Sequence, residues 1–586
     1  MSVNIIGISA FFHDAACCLL QNGRLSAAAE EERFSRKKAD PSIPANAFRY
    51  CLEEAALKLT DIDCVAYYED PVKKLARQLW SGILGNKPTL QEIKNPRQKI
   101  EQQIREELGY EGDIVYVDHH LSHAASSFFF SGFDKAAILT VDGVGEWATT
   151  TYGIGDHNGV RIFEEVQFPD SIGLLYSTIT SYLGFGVNDG EYKVMGLAPY
   201  GLPLYTAEIR KLIENGEGGQ YRLNMHYFSF MNSDCMYSEQ LCHVFGKPAR
   251  LEEEEIEQFH KDVAKSLQVV LEEVLLEKAN YLFKQTGTDR LCMAGGVALN
   301  CVANGHILRK GPFKQLFVQP AANDAGGAIG AAAVAYRNIT GKAPGIERLS
   351  HVYLGPASTS GQIHKLLQAT SLKYSDYRSD THGMLETIAR QLADGKVVGW
   401  FHGRMEFGPR SLGARSILAD PRNEQMRDRI NAMVKKREQF RPFAPAVMLD
   451  QARNHFQLDH DSPFMLETCE VISPLKLPAI THVDNSARVQ TVTKETNSRF
   501  YTLLAAFYKL TGCPILLNTS FNVKGEPIVC TPEDALKCFI CTDIDCLVLE
   551  DFILYRQENQ LDLLKLIIQE DLVKQRVISH DVYTFV

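Results

Sequence analysis

Residues 5–36, IIGISAFFHDAACCLLQNGRLSAAAEEERFSR, read in order as a strand, a turn, a second strand, a turn and a helix. Asn22-Gly23 between two apolar runs is typical of a β-hairpin. A similar unit recurs at residues 136–166, AAILTVDGVGEWATTTYGIGDHNGVRIFEEV, where Asp142 follows a buried strand and Asn158-Gly159 supplies a turn. The two units together predict an α/β core built by duplication.

At least two domains are expected from a chain of 586 residues, because hydrophobic cores stop growing at roughly 250–300 residues. Apolar residues at helical spacing predict a long helix over residues 256–287, and the small residues of 325–338 predict a helix that packs closely on a sheet. Residues 339–362 are rich in Gly, Pro and Ser and show no period, so we place the boundary there. The predicted domains are residues 1–345 and 346–586, of α/β and α+β class.

The charge balance disfavours a protein that binds nucleic acid by counterion release, because 61 Lys+Arg face 72 Asp+Glu and the net charge is −11. The N-terminus lacks the basic segment of a signal peptide, and His13-Asp14 interrupts its apolar run. No charge-free apolar run is long enough to span a bilayer. The 14 cysteines are scattered through apolar segments, as reduced thiols are, and Cys538-x-x-Cys541 has no second pair to complete a zinc site. We therefore expect a cytoplasmic protein with no membrane or nucleic-acid partner.

His119 and His123 in DHHLSHAASSFFF lie four residues apart, which places both imidazoles on one face of a helix. Alone, such a pair is more typical of structural roles. Two carboxylates change that balance, since Asp142 ends an apolar strand and Asp324 precedes a glycine-rich turn and a helix. Two histidines and two aspartates suit iron, manganese or zinc, and the sequence does not choose among them.

Glycine turns of the first domain are candidates for nucleotide binding. GGVALNCVANG follows an apolar strand and offers Gly295 and Gly296 for close backbone approach, with Asn300 beyond them. Glu191 and Lys193 lie in NDGEYKVMGLAPYG, whose start is too polar for a core segment. Glycines also mark ordinary strand-to-helix turns, so these signals are weak by themselves.

Cations cluster in the second domain among glycines, prolines and apolar residues, an arrangement unlike a solvated surface. Planar guanidinium groups hold phosphate oxygens in pairs, so the clusters predict a pocket for several phosphates. Salt bridges to surface carboxylates are the alternative for any single arginine. The candidates are Arg404, Arg410 and Arg415 in GWFHGRMEFGPRSLGARSILADPRN, Lys435, Arg437 and Arg441 in VKKREQFRPFAP, and Arg488 in HVDNSARVQTV.

Seven motifs, in order along the chain, resemble the NodU-like O-carbamoyltransferases of nodulation and antibiotic tailoring. They are GISAFFHDAA, EEERFSRKKADPSIP, DHHLSHAA, LTVDGVGEW, NDGEYKVMGLAPYG, GGVALNCVANG and QPAANDAGGA. The resemblance implies a first domain of the duplicated actin-type nucleotide-binding class, similar to the enzyme that transfers threonylcarbamoyl to tRNA. It also implies that the metal ligands are His119, His123, Asp142 and Asp324, with iron(II) as the ion.

By the same resemblance, His13 and Lys38 lie at the transfer centre. His13 would accept a proton from an acceptor hydroxyl, and Lys38 would stabilise charge on the carbamoyl oxygen or on phosphate. A core histidine with satisfied hydrogen bonds is the alternative for His13. Ala39 departs from the family pattern, which has a polar residue after the lysine, so the acceptor region is expected to differ.

The segment PILLNTSFNVKGEPIV, with Ser520 and Asn522, resembles the signature of YrdC-like domains, which make a carbamoyl-type adenylate from ATP. The resemblance implies that carbamate released from carbamoyl phosphate attacks the α-phosphate of ATP, bound with Mg²⁺, in the second domain. The carbamoyl-adenylate would then pass to the first domain by a route shielded from water. Transfer of the carbamoyl group to a hydroxyl of a small-molecule acceptor, a natural product or a sugar, is the expected activity.

Two other functions stay open at this stage. One is carbamoyl transfer to an amine or to tRNA, of which the acidic charge disfavours tRNA. The other is a catalytically silent nucleotide-binding regulatory protein, which predicts missing site residues, whereas every required position carries a competent side chain. The sequence leaves the acceptor and the oligomeric state open, and a homodimer is compatible with it.

Overall fold

The computed structural model describes residues 2–82, 93–345, 347–435, 438–562 and 564–566, without the side chain of Lys435. The chain divides into two compact units, of which unit 1 takes in the described residues up to Ser35 and those from Ala39 to Leu349. Unit 2 takes in Arg36–Lys38 and the described residues from Ser350 onward. Both units mix helices and strands, as the sequence predicts, while the roles assigned to residues 1–345 and 346–586 stay predictions.

Unit 1 contains two five-stranded sheets. The first consists of β1 (Asn4–Ser9), β2 (Ala16–Gln21), β3 (Arg24–Glu30), β4 (Cys64–Tyr67) and β5 (Ile114–Tyr116). The second consists of β6 (Ala136–Val141), β7 (Ala148–Asp156) and β8 (Gly159–Gln167), followed, after a small hairpin of β9 (Ile213–Asn215) and β10 (Tyr221–Leu223), by β11 (Arg290–Ala294) and β12 (Gln315–Val318).

The two sheets share one strand order. The first runs β3-β2-β1-β4-β5, and the second, read from its other edge, runs β8-β7-β6-β11-β12. In each sheet the central strand pairs antiparallel with the next strand of the chain and parallel with the fourth. This repeated topology confirms the duplicated α/β core.

The hairpin turns follow the prediction in one sheet and shift by one residue in the other. Asn22 and Gly23 have φ of 50° and 80°, the conformation of a two-residue hairpin loop whose strands continue through Gln21 opposite Arg24. In the second sheet Asp156 pairs with Gly159. The loop is therefore His157-Asn158, and the predicted turn at Asn158-Gly159 is displaced.

Twelve helices of unit 1 have described bounds. They are α1 (Glu32–Ser35), α2 (Ala45–Glu54), α3 (Pro71–Ser81), α4 (Pro96–Leu108), α5 (His119–Phe128), α6 (Ile172–Tyr182), α7 (Glu191–Leu197), α8 (Thr206–Arg210), α9 (Glu239–Phe245), α10 (Gln258–Thr286), α11 (Cys301–Lys310) and α12 (Asp324–Thr340). The predicted long helix is α10, which ends at Gly287 with φ of 62°.

Small residues let α12 pass close to its neighbours. A Cβ on Gly330 would collide with the carbonyl of Ser122 in α5, and a Cβ on Gly7 in β1 would collide with the carbonyl of Ala328 in α12. The helix is therefore held directly between the first sheet and α5. This packing brings the first residue of α12 close to α5.

Unit 2 is built on an eight-stranded sheet of order β13-β22-β21-β14-β15-β20-β16-β19. Its strands are β13 (Ser375–Asp376), β14 (Val398–Phe401), β15 (Arg415–Ala419), β16 (Ala444–Met448), β19 (Gln490–Val492), β20 (Ile515–Ser520), β21 (Cys546–Leu549) and β22 (Phe552–Tyr555), with β17 (Cys469–Glu470) and β18 (Ser486–Ala487) paired separately. Its helices are α13 (Ser360–Gln368), α14 (Thr381–Ala393), α15 (Met426–Ile430), α16 (Leu449–Ala452), α17 (Ser498–Thr511) and α18 (Pro532–Cys541). Among the described residues, none of the helices has the length and apolar character needed to cross a membrane.

Replacing Gly330 by alanine should lower the free energy of unfolding by about 1–3 kcal/mol, because the added methyl group forces α12 away from α5. Urea unfolding monitored by circular dichroism measures the change. Gly361→Ala in α13 is the control, since a Cβ there meets only Thr359 Oγ1, at 4.0 Å. That substitution should be neutral or stabilising by up to about 1 kcal/mol. Equal stability of Gly330→Ala and the native chain would show that the two helices are not in close contact.

Candidate functional site

Four side chains from three segments converge in the interior of unit 1. His119 and His123 lie one turn apart on α5, so both rings leave the same helix face. Asp142 directly follows β6, and Asp324 is the first residue of α12. One ligand atom of each residue lies within 4.8 Å of the ligand atoms of the other three, and all four residues are buried. We call this group the metal cluster.

The spacing of these atoms fits a single ion. His119 Nε2 lies 3.0 Å from Asp142 Oδ2 and 3.1 Å from His123 Nε2. Asp324 Oδ1 lies 3.7 Å and 3.6 Å from the same two ring nitrogens. Ligands held tetrahedrally at about 2.0–2.2 Å from an ion are separated by roughly 3.3–3.6 Å. Two nitrogens and two carboxylates suit a divalent transition metal, so this group can bind one.

The side chains of the metal cluster shift one another's pKa values. Burial would raise the pKa of Asp142, but hydrogen bonds with His119 and His123 hold it well below its usual range. Burial would likewise lower the pKa of both histidines, and the two aspartates instead raise it, for His123 to about 9. A cation would take the place of the protons on the histidines, so metal binding competes with protonation.

Neighbouring donors orient both carboxylates of the metal cluster. The Gly296 N–H donates to Asp142 Oδ1 at 2.8 Å, and the Tyr68 hydroxyl donates to Asp324 Oδ2 at 3.3 Å. Each contact leaves the other oxygen of the carboxylate facing the histidines. Such supporting hydrogen bonds are a regular feature of protein metal sites.

His13 lies in the loop after β1, next to an acidic partner. His13 Nδ1 is 2.9 Å from Asp14 Oδ2, and Asn323 Nδ2 donates to the same oxygen at 2.8 Å. Asp14 has a φ of 54°, which few residues other than glycine adopt. Burial would lower the pKa of His13, but Asp14, helped by Asp324 and Asp142, raises it to about 9. The sequence prediction missed Asp14 and Asn323, although Asp14 adjoins His13 in the chain.

Lys38 is exposed in the short segment Arg36–Lys38, which belongs to unit 2, whereas His13 belongs to unit 1. Within that segment Arg36 donates to the carbonyl oxygens of Pro527 and Ile528 at 2.8 and 2.7 Å. The placement of His13 and Lys38 at one transfer centre therefore stays a prediction.

Three of the residues predicted to bind nucleotide in unit 1 lie between β11 and α11. Gly295 and Gly296 form the turn after β11, and this turn touches the metal cluster through the Gly296 N–H. Asn300 caps α11 through its side-chain oxygen and donates to Gln268 at 3.0 Å. The N–H groups of Gly295 and Gly296 and the side chain of Asn300 all have partners within unit 1, and nucleotide binding by these three residues stays a prediction.

The other two predicted nucleotide residues lie on α7. Glu191 accepts a hydrogen bond from the Ser177 hydroxyl at 2.7 Å, and Lys193 pairs with Asp189 at 3.6 Å. Both side chains thus have partners within unit 1, and nucleotide binding by them stays a prediction.

One edge of the unit 2 sheet collects the segments predicted to bind phosphate. β14 ends at Phe401 opposite Arg415, where β15 begins, and Ser416 pairs with Ser520 at the end of β20. β16 enters beside β20 at Ala444, and β19 runs parallel to β16. The loops at this edge contain Arg404, Arg410, Arg441, Arg488 and Asn522.

Two of the arginines predicted to bind phosphate, Arg415 and Arg404, donate hydrogen bonds to backbone carbonyl oxygens. Arg415 is fully buried, donates to the carbonyl oxygens of four residues at 3.0–3.2 Å and lies 3.6 Å over the ring of Phe401. Arg404 donates to two carbonyl oxygens at 2.6 and 3.3 Å. Backbone groups thus contact both terminal nitrogens of Arg415, which gives it a structural role, and phosphate binding by Arg415 stays a prediction.

The remaining predicted cations differ in their surroundings. Arg410 and Arg488 are partly exposed, and Arg441 pairs at 3.5 Å with a glutamate one turn earlier. The side chain of Lys435 and the whole of Arg437 lie outside the described residues. Phosphate binding by these residues stays a prediction.

Hydrogen bonds order the loops of this edge. Ser520 Oγ donates to Asn522 Oδ1 at 2.7 Å, which fixes the two predicted residues against each other. Glu406, 3% exposed, accepts from the N–H groups of Leu412 and Ala414 at 2.6 and 2.8 Å. Hydrogen bonds to the carboxylate of Glu406 therefore fix the loop that leads from it to Ala414. Sequence reasoning missed Glu406, because a single acidic residue among arginines carries no distinct signal.

A histidine–glutamate pair at the same edge is also absent from the sequence prediction. His402 Nδ1 lies 2.6 Å from Glu550 Oε2, and the other carboxylate oxygen accepts from the Gly403 N–H at 2.6 Å. His402 follows β14, Glu550 follows β21, and these strands are parallel neighbours. The two residues are 148 positions apart, so no local pattern connects them.

Comparison with known proteins adds family information. A family model described as the carbamoyltransferase N-terminus matches residues 4–333, and one described as the C-terminus matches residues 389–556. An uncharacterized protein of Synechocystis sp. is 44% identical over 94% of this chain and 96% of its own length. The nodulation protein NolNO of Sinorhizobium fredii is 40% identical over 93% of this chain and 79% of its own length. A 3'-hydroxymethylcephem-O-carbamoyltransferase of Amycolatopsis lactamdurans is 37% identical over 41% of this chain and 44% of its own length.

Substitution of His123 by asparagine should abolish tight binding of a divalent transition metal, because it removes one of the two nitrogen ligands. Elemental mass spectrometry of the dialysed chain measures the metal content. His120→Asn is the matched control, since His120 Nδ1 bonds Thr140 Oγ1 at 2.6 Å and the ring stays outside the metal cluster. Equal metal content in His123→Asn and the native chain would refute the site.

Arg415→Lys should lower the free energy of unfolding by roughly 2–4 kcal/mol, because an ammonium group cannot serve four carbonyl oxygens and stack on Phe401. The same change at the partly exposed Arg488 should alter stability by less than about 0.5 kcal/mol. Urea unfolding of both variants measures the difference. A similar loss at both positions would contradict the structural role of Arg415.

Proposed function

The chain belongs to the carbamoyltransferase family, and we propose that it uses ATP and carbamoyl phosphate to carbamoylate a hydroxyl group of a small-molecule acceptor. The cephem O-carbamoyltransferase named above acts on a hydroxymethyl group, as its name states, which supports a hydroxyl as the acceptor. Carbamoyl-adenylate is the activated intermediate in this proposal. Unit 2 makes it and unit 1 transfers its carbamoyl group.

One observation carries the assignment of transfer to unit 1. The metal cluster and the His13–Asp14 pair meet there, because Asn323, which donates to Asp14, directly precedes the ligand Asp324. An acid–base residue and a candidate cation site are thus adjacent within unit 1. The repeated strand order supports an actin-type fold for this unit, and such folds bind nucleotides.

His119, His123, Asp142 and Asp324 would hold the metal, for which we propose iron(II). The ion, when bound, supplies positive charge beside the phosphate of the adenylate. The turn at Gly295 and Gly296, whose N–H groups donate to Ala322 and Asp142, has no side chains and would let the same phosphate approach the backbone closely.

His13 accepts the proton of the acceptor hydroxyl in this proposal. Asp14 forms a hydrogen bond with His13 Nδ1, so His13 Nε2 is the nitrogen that takes the proton. The pKa of about 9 would keep His13 protonated at neutral pH. Asp14 is the main cause of that raised pKa, and Asp324 and Asp142 add to it, so a cation bound by the latter two would lower the pKa of His13 from this value.

Adenylate formation is assigned to the sheet edge of unit 2, which we propose to be YrdC-like. Arg410, Arg441 and Arg488 would bind the phosphates of ATP, used with Mg²⁺, and of carbamoyl phosphate, next to Ser520 and Asn522. Bidentate guanidinium contacts suit this role, because phosphoryl transfer depends on positioning and on charge stabilisation.

The acceptor is proposed to be a natural product or a sugar, and the protein is proposed to act in the cytoplasm, with a homodimer compatible with its function. The net charge of −11 supports a small acceptor over tRNA. The complete set of metal-binding side chains counts against a silent regulatory protein.

His13→Asn should reduce carbamoyl transfer by roughly 10²–10⁴-fold, because the acceptor hydroxyl loses its base. Pyrophosphate release dependent on carbamoyl phosphate should persist, since the adenylate is made in unit 2. Mass spectrometry of an acceptor panel and a pyrophosphate assay measure the two activities, with His157→Asn in the exposed β7–β8 loop as control. Loss of pyrophosphate release in His13→Asn would overturn this division of labour.

A further inference from the structure

The His402–Glu550 pair is held by contacts from several elements of unit 2. Glu550 Oε2 accepts from His402 Nδ1 at 2.6 Å and from Arg499 of α17 at 3.3 Å, and Oε1 accepts from the Gly403 N–H. Arg499 also donates to Asp551 at 3.0 Å. The orientation of the imidazole is therefore determined by a carboxylate that is itself fixed.

Glu550 adopts a strained backbone conformation. Its φ is 50°, in the left-handed region that side chains other than glycine and asparagine seldom occupy. Glu550 is the first residue of a two-residue hairpin loop, since Leu549 pairs with Phe552, and such loops take a positive φ at this position. Here the strained residue is the one that orients the histidine.

The pair leaves one ring nitrogen of His402 available. Burial would raise the pKa of Glu550, but His402, Gly403 and Arg499 lower it, which favours an ionised carboxylate that accepts a hydrogen bond from the Nδ1–H of His402. This contact occupies Nδ1 and leaves Nε2 as the other ring nitrogen. The side chain of His402 is 20% exposed, and its Nε2 makes no hydrogen bond to any described residue. A ring so placed can take a proton from a bound molecule.

His402 shares a sheet face with Ser520, one of the residues proposed to bind carbamoyl phosphate. Trp400 pairs with Ser416 and Ser416 pairs with Ser520, so these three lie on one face, and His402 follows Trp400 by two residues. β14 and β20 are separated by β15 alone, a distance of about 10 Å. His402 and Ser520 thus lie at the same end of the sheet, with one strand between theirs.

We propose that His402 is the catalytic base that releases carbamate from carbamoyl phosphate. This rests on the proposed function, which requires carbamate but assigns no residue to its release. Water attacks phosphorus, the bond from phosphorus to the bridging oxygen breaks, and its electron pair stays on that oxygen. His402 Nε2 accepts a proton from the water and returns it to the phosphate. Carbamoyl phosphate and water become carbamate and dihydrogen phosphate, with no other reactant.

Two sources of carbamate test this role of His402. Carbamoyl phosphate must first be cleaved in the step assigned to His402, whereas a solution that already contains carbamate bypasses that step. The full chain and its His402→Asn variant, in which the amide can still donate to Glu550, are incubated with Mg²⁺, ATP and either carbamoyl phosphate or ammonium bicarbonate, which forms carbamate in solution. Phosphate and pyrophosphate are measured, with the spontaneous breakdown of carbamoyl phosphate subtracted. His402→Asn should release both products roughly 10²–10⁴-fold more slowly from carbamoyl phosphate, and pyrophosphate at the native rate with ammonium bicarbonate.

His382→Asn, at a side chain 78% exposed in the same unit, is the control and should behave as the native chain with both substrates. Native rates in His402→Asn with carbamoyl phosphate overturn the proposal. Loss of pyrophosphate release with both substrates also overturns it, because His402 then serves the adenylation step or the fold. A native chain that releases no pyrophosphate with either substrate overturns the proposed function itself, and that outcome is separate from a failure of His402→Asn.

Discussion

Two carboxylates and two imidazoles share a small buried volume in unit 1, and their charges must be balanced there. Carboxylates this close cannot both stay ionised without protons on the histidines or a cation among them, because burial penalises uncompensated charge. This requirement explains why three separate segments meet at one point. Helix α5 supplies both histidines, β6 ends on one aspartate, and α12 begins with the other, where the helix N-terminus favours its negative charge. The close approach of α12 to α5 and the duplicated sheets keep these segments together.

In unit 2, the buried charges of Glu406 and Arg415 are bonded to backbone groups, whereas those of the metal cluster face other charged side chains. Two of its buried charges make their hydrogen bonds to the backbone, Glu406 through one oxygen to N–H groups and Arg415 through its terminal nitrogens to carbonyl oxygens. Hydrogen bonds to ionised groups are roughly twice as strong as neutral ones, so they help to fix the loop between β14 and β15, together with its β-bridge from Glu406 to Tyr353. The backbone that carries the partly exposed arginines of that edge is therefore ordered.

Local patterns account for what the sequence predicted correctly. The hairpin at Asn22-Gly23 depends on two adjacent residues, and the histidine pair of the metal cluster depends on spacing within one helix. The second turn, at His157-Asn158, was shifted because its position is set by pairing across the hairpin. The role of Arg415 depends on burial and on carbonyl partners, neither of which the sequence displays. His402 and Glu550 meet only because two distant strands are neighbours in the sheet.

Asp142 uses its two oxygens for different neighbours. Oδ2 faces the histidines of the metal cluster, while Oδ1 accepts from the Gly296 N–H in the turn after β11. An ion in the cluster and a ligand bound on the turn would therefore act on one carboxylate. Thermodynamic linkage is reciprocal, so whatever factor such a ligand applied to the affinity for the ion, the ion would apply to the affinity for the ligand. Occupancy of either position would then be a readout of the other.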